Sequence, residues 1–273
     1  MDILQEYGSE DLYMRYAVDE NPNDRYFVMH VHERCEIFYY ISGNAAYLVE
    51  GAEYLLKPGS ILIMRPAESH RTKILGKGKY ERYAINFSVS VIDTIDPKRR
   101  LLRAFFDRPL GRGNLYLPTE FEDESIRKIF ADMCAGTDDY EKRLNILTHL
   151  FLLLNSIDTV FLKRGSAEYL PPQSPSEKMV SYVNSHLFEK LSVPILAEHF
   201  FLSTSQFSRI FKQATGAAPW EYITIKRLTA AREKIRSGNS AQCAGEECGF
   251  GDYSAFYRAF VKYFGYSPQK DMI

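Results

Sequence analysis

From Tyr26 to about Ser90 the chain breaks into short runs rich in Tyr, Ile, Val and Phe: YFVMHVH, EIFYYIS, AAYLVE, EYLL, SILIMRP and RYAINFSVS. Turn signals such as SGN, EGAE and KPGS separate them. Runs of this length and spacing predict antiparallel strands closed into a sandwich or barrel. After Pro97 the period lengthens. PKRRLLRAFFD, TEFEDESIRKIFADM and DDYEKRLNILTHLFLLLNSIDTVFLK predict helices, and Thr119 and Glu122 stand at capping-box spacing. The last of these carries more apolar residues than one face of a small domain hides. Packing on the barrel and self-association are its two uses.

GSAEYLPPQSP, residues 165 to 175, pairs two prolines with small polar residues and predicts a linker. Beyond it the pattern is one of short helices with turns between them, and it repeats. SQFSRIFKQATG, residues 205 to 216, and SAFYRAFVKYFG, residues 254 to 265, both read S-x-F-x-R-x-F with a glycine five residues on. Phe207 with Phe211, and Phe256 with Phe260, fall on one helical face and predict buried anchors. Each copy follows a short helix and a tight connection, which is helix-turn-helix grammar. Ser203 suits an N-cap with Gln206 as its capping-box partner. On the outward faces Arg209 and Arg258 suit a guanine edge. Ser205, Gln206, Ser208, Tyr253, Ser254 and Tyr257 suit bases or backbone, and Lys212 and Lys262 suit phosphates.

A length of 273 residues predicts two domains. Apolar content of 45% and charged content of 25% describe an ordinary globular chain and exclude collagen-like or disordered classes. The densest apolar run, Leu150 to Leu154, falls short of the roughly 18 residues a membrane span needs, and the acidic N-terminus carries no export pattern. The expectation is a cytoplasmic protein without a membrane partner. Cys35, Cys134, Cys243 and Cys248 form no Cys-x-x-Cys pair, and the last two read as small core residues. Residues 174 to 273 hold 12 Lys and Arg against 9 Asp and Glu, so the C-terminal part is basic while the whole chain carries −1. That balance suits a polyanion.

The strings LAEHFFLSTSQFSRIFKQATG, EYITIKRLTAAREKI and GFGDYSAFYRAFVKYFGYSPQ resemble the AraC/XylS family of transcription regulators, over nearly the whole chain and most strongly over residues 176 to 270. The resemblance implies two helix-turn-helix units joined by a helix from Trp220 to Arg236, each placing its second helix in successive major-groove turns of DNA. It also implies a homodimer and, for an activator, contact with RNA polymerase. In Ala244-Gly245-Glu246-Glu247-Cys248 the chain departs from the family's aliphatic-Ala-polar-polar-aliphatic pattern, an expected cost of packing and roughly 1 kcal/mol of helix propensity.

In HVHERCEIFYYISG, residues 30 to 43, His30, His32 and Glu36 share parity, so a continuous strand would aim all three at one face. With His70 they resemble the metal motif of cupins, His-x-His, Glu, Gly and a later His. The motif's second half departs at Pro66-Ala67-Glu68-Ser69. The same four residues suit a divalent metal or a hydrogen-bonded lining for a polar effector. Tyr39, Phe38 and Tyr47 would stack on a sugar ring.

The expected fold is α+β. A cupin-like antiparallel barrel (about 12 to 92) and trailing helices (about 97 to 164) form a sensing and dimerising domain, 1 to 164. A linker, 165 to 175, leads to an all-α DNA-binding domain, 176 to 273. The expected function is a non-enzymatic, ligand-responsive DNA-binding regulator needing no cofactor, with a metalloenzyme carrying a DNA-binding tail, or a constitutive DNA-binding dimer, as rivals.

Overall fold

The computed structural model describes residues 2–121, 125–165 and 174–271. Nine strands come first: β1 Asp2–Gly8, β2 Leu12–Asp19, β3 Cys35–Ser42, β4 Ala45–Val49, β5 Ala52–Leu55, β6 Ile61–Met64, β7 His70–Ile74, β8 Tyr80–Phe87 and, further on, β9 Leu115–Tyr116. All pairs are antiparallel, in a six-stranded sheet of order β1-β2-β8-β3-β6-β9 and a three-stranded sheet of order β5-β4-β7. The first sheet thus takes in β1 and β9, outside the stretch in which strands were expected. The alternating runs of β2 and β7, LYMRYAVD and HRTKI, are also strands.

β3 explains the layering. Phe38 and Tyr40 join Tyr47, Val49, Leu62 and Tyr80 between the sheets, whereas Ile37 and Tyr39 join Ile63, Ile85 and Phe130 behind the larger sheet. Burial on both faces is why its sequence reads as a continuous apolar run. The back layer is built by α1 Ser90–Asp93, α2 Arg103–Phe106, α3 Ser125–Met133 and α4 Asp139–Arg164. The predicted capping box at Thr119 includes Glu122, which lies outside the described residues, as do residues 166–173 of the predicted linker.

α4 is long and apolar enough to cross a bilayer by length and composition, contrary to the expectation from its densest run. Its Leu150, Leu153, Leu154 and Ile157 nevertheless pack in the sheet's core, and its Asp158 pairs with Arg103. Its other face keeps Leu144 and Leu152 about half exposed, at 51% and 52%.

The C-terminal part holds α5 Pro175–Ser185, α6 Val193–His199, α7 Thr204–Thr215, α8 Pro219–Arg236, α9 Ala241–Glu247 and α10 Tyr253–Phe264. α8 serves two cores. Tyr222 and Ile223 pack with Phe207 and Phe211, while Leu228, Ala231 and Ile235 pack with Phe256 and Phe260. Between them the buried Arg227 donates to the carbonyls of Leu187, Glu189 and Gly249 at 2.6–2.7 Å, tying both units to the joining helix.

Two expectations are corrected here. Cys243 is exposed and only Cys248 is a core residue of that pair. Gly245 does not leave a packing gap: a Cβ there would meet Phe256 Cγ at 2.9 Å, so the glycine is what lets the Phe256 ring seat.

Candidate functional site

Both predicted reading helices form. At α7 Ser203 Oγ accepts from Gln206 N at 3.2 Å and Gln206 Oε1 accepts from Ser203 N at 3.0 Å, the predicted capping box. Gln206 therefore spends its acceptor on the cap and keeps its amide donors. α10 uses Asp252 instead, which accepts from Ala255 N at 2.8 Å. All four phenylalanines are fully buried, with ring centroids 5.7 Å apart in the first pair and 5.5 Å in the second. Ser205, Gln206, Arg209 and Lys212 face solvent on α7, and Ser254, Tyr257, Arg258 and Lys262 on α10. Ser208 and Tyr253 are half-buried, and Tyr253 Oη accepts from Gln269 Nε2 at 3.1 Å.

Between the sheets lies a cavity of about 520 Å³, lined by His30, His32, Glu36, Phe38, Tyr47, Thr72, Arg82 and Asn86 among others. Its size suits a small ligand. YFVMHVH is not a strand: Tyr26 ends a single 3-10 turn, and His30 is held by one bridge to His70, with paired N–H···O bonds of 3.1 Å. Met29 and Val31 instead bury against the C-terminal helices. Although the continuous strand is absent, the four predicted residues converge, each offering a donor atom within 4.8 Å of the others. Glu36 Oε2 lies 2.9 Å from His32 Nε2 and 3.4 Å from His70 Nε2, while its Oε1 accepts from Tyr47 Oη at 3.3 Å. Burial alone would raise the Glu36 carboxyl, but His70 and His32 outweigh it and hold it well below the usual carboxylate range. Burial raises Tyr47 far above its ordinary value, so it stays a neutral donor.

Tyr39 is a correction. Parity puts it on the opposite face of β3 from Glu36, stacked on Phe130 with centroids 4.4 Å apart, so it takes no part in the cavity. Arg82, Thr72 and Asn86 were not foreseen. β8 pairs Arg82 with Tyr40 and Asn86 with Glu36, so the alternation in RYAINF marks them once the register is known. The Arg82 guanidinium lies over Tyr80, 4.5 Å from the ring centroid.

A larger, open cleft of about 1340 Å³ runs between the two halves. Its charges largely pair with one another: Arg143 with Asp11, and Arg232 and Arg236 with Glu33. Nearby, buried Glu50 of the β4–β5 turn accepts from Lys226 Nζ at 2.6 Å, Asn184 Nδ2 at 2.7 Å and Tyr222 Oη. Nothing in the sequence around Glu50 marks it as a docking residue.

Residues 12–154 match the model of the AraC-like ligand binding domain, and residues 196–271 match a helix-turn-helix domain. The chain belongs to the AraC family of transcription regulators. It joins a ligand-binding, cupin-like domain to a DNA-binding helix-turn-helix domain. It is similar to the transcriptional regulator YobQ of Bacillus subtilis, 24% identical over 246 residues, 90% of this chain and 88% of that protein. It is also similar to the transcriptional activator RhaS of Escherichia fergusonii, 23% identical over 252 residues, 89% and 87% of the two chains. The probable transcriptional regulator LumQ of Photobacterium leiognathi is 38% identical over 92 residues, a third of this AraC-family chain (33%) and 37% of that protein.

Proposed function

We propose that this AraC-family regulator senses a small polar molecule, such as a sugar, in the barrel cavity, and passes its occupancy to two DNA-reading helices. The observation that carries this reading is the cavity itself, with Tyr47 and Phe38 as an apolar wall and Arg82, Thr72, Asn86 and Glu36 as polar partners. A ring bearing hydroxyls uses both kinds of surface. Sensing falls to residues 1 to 164 and DNA reading to 176 to 273, with 165 to 175 between them.

Arg209 and Arg258 read bases, with Ser205, Gln206, Ser208, Tyr253, Ser254 and Tyr257 beside them, and Lys212 and Lys262 hold phosphates. The exposed Leu144 and Leu152 of α4 form the homodimer face, in the cytoplasm, and an activating form contacts RNA polymerase. The role is regulatory, not catalytic: polar residues converging in a cupin-like fold do not by themselves supply a reaction.

A thermal-shift panel of sugars, sugar acids and other polar metabolites tests the proposal, since a ligand that binds only the folded form raises the midpoint, and raises it further as its concentration climbs above Kd. A hit that Arg82→Ala and Tyr47→Ala abolish, and that alters binding to promoter DNA, is the expected result. If the panel leaves midpoint and DNA affinity unmoved, the barrel serves dimerisation alone.

A further inference from the structure

The turn that leads into a reading helix is built twice in this chain, and the two copies differ at one telling position. After α6, Phe201 N–H donates to Glu198 O at 3.0 Å and Leu202 N–H to Ala197 O at 2.9 Å; after α9, Gly249 N–H donates to Glu246 O at 3.0 Å and Phe250 N–H to Gly245 O at 3.0 Å. Both are the paired bonds that close a helix on a left-handed residue. That residue is Gly249 in the second unit, at φ +84°, and Phe201 in the first, at φ +56°. A Cβ in left-handed backbone crowds the following carbonyl oxygen, so glycine or asparagine is the relaxed choice and phenylalanine a strained one.

Strain coincides with exposure. In the string Phe200-Phe201-Leu202, Phe200 and Leu202 pack on the first unit's core, and the Phe200 ring centroid lies 6.0 Å from that of Phe207. Phe201 is 96% exposed, more than any other large apolar side chain among the described residues. A lone exposed apolar residue is ordinary, but one that also holds its backbone in an unfavourable conformation costs the fold twice. The second turn has no such freedom. A Cβ at Gly249 would lie 2.8 Å from Phe188 O and 2.9 Å from Arg227 Cζ, so that turn is closed by the protein itself and, of the two, the first is open to a partner.

The position of Phe201 names the partner. Ser203, two residues on, caps α7, and Ser205 and Gln206 are exposed in that helix's first turn. Two residues of chain span at most about 7 Å, which puts the ring at the rim of the surface that α7 presents. A phenyl ring has no charge for a phosphate and no donor for a base edge. The major groove also offers the C5-methyl of thymine, with the apolar carbons of deoxyribose beside it.

We propose that Phe201 is a further DNA contact, its ring laid against the thymine methyl and deoxyribose surface at the edge of the major-groove box under α7. The strained turn presents that ring to the duplex. This rests on the reading of α7 as a DNA-reading helix given above.

The test uses the full chain on the duplex that wild type selects from a random-sequence library, by anisotropy at several salt concentrations, with thermal melting alongside. Phe201→Gly relaxes the turn, so its melting midpoint should hold or rise while its affinity falls at least about tenfold, as expected for half a ring no longer buried. The slope of log affinity on log salt should not change, because no phosphate charge is lost. Phe201→Asn, which also accepts left-handed backbone without glycine's freedom, should do the same, and Phe201→Leu, which keeps an apolar face, should retain more affinity than either. Unchanged affinity in Phe201→Gly and Phe201→Asn overturns the contact, and so does a loss that tracks a lower midpoint, the mark of a residue that serves the fold. Normal DNA binding with loss of transcription by added RNA polymerase overturns it in favour of a protein partner. Arg209→Ala, run in parallel, separates this contact from the helix assignment: if it weakens binding and Phe201→Gly does not, the contact alone fails, and if neither does, α7 is not the reading helix.

Discussion

In the first helix-turn-helix unit the buried pair Phe207 and Phe211 shares its core with Met29 and Val31 of the sensing half, whereas in the second Phe256 and Phe260 pack among Leu228, Ala231, Ala244 and Cys248 of their own half. The motif is the same and the surroundings differ. A core shared across the junction makes the first unit's stability depend on the barrel, while the second answers mainly through α8. A signal from the cavity would therefore reach the two reading helices by different routes, α7 through the shared core and α10 through α8 and through Tyr263, whose Oη donates to Val31 O at 3.3 Å.

Phenylalanine deletion should separate the units most strongly. Phe211→Ala and Phe256→Ala each remove a fully buried ring, a loss of about 3–5 kcal/mol. Calorimetric melting should show Phe211→Ala lowering the barrel's transition as well, and Phe256→Ala leaving it in place. Identical melting of the two variants would mean that the cores are not divided as described. Next in size is Glu50→Ala, which strands Lys226 beside a buried junction and should cost about 3 kcal/mol. Limited proteolysis after this change should release the C-terminal half intact; unaltered cleavage would show that the junction does not depend on the pair.

On DNA the comparison runs through Arg209 and Arg258. Either change to alanine should cost about 1–3 kcal/mol on a specific site and relax choice at one position. The effector should modulate the Arg258→Ala protein, which keeps the α7 contact, more than the Arg209→Ala protein, as measured by anisotropy titrations. A smaller effect is expected of Gly245→Ala, where the clash with Phe256 exceeds the gain in helix propensity by about 1 kcal/mol. A more stable variant would show that the ring has room to move. The smallest is Lys212→Ala, which should flatten the salt dependence by about one phosphate and leave sequence preference alone; altered preference would place Lys212 against a base instead.

Much of this was legible in the residues. The doubled S-x-F-x-R-x-F string gave the buried phenylalanines and the exposed faces, because a period of 3.6 fixes both at once. His30, His32, Glu36 and His70 were also legible, although for an incomplete reason, since loop geometry and a single bridge, and not one strand, assemble them. Tyr39 was misplaced because naming aromatics in a run buried on both faces ignores which parity shares Glu36's side. Arg82 and Asn86 became visible only through the register of β8 on β3. Glu50 was out of reach: its partners in the C-terminal half are 134 to 176 residues away, and no local pattern encodes a contact between halves.

The joining helix has one more consequence. α8 has 18 residues, and at 1.5 Å each it is a rod about 27 Å long, anchored in a separate core at either end. A rod cannot stretch, so if α7 and α10 both read bases, the two stretches they read must keep one phase, near the roughly 34 Å repeat of the duplex. Adding a few base pairs between them would rotate one stretch away from its helix, so DNA read by both helices at once would have to carry its two boxes at a fixed interval.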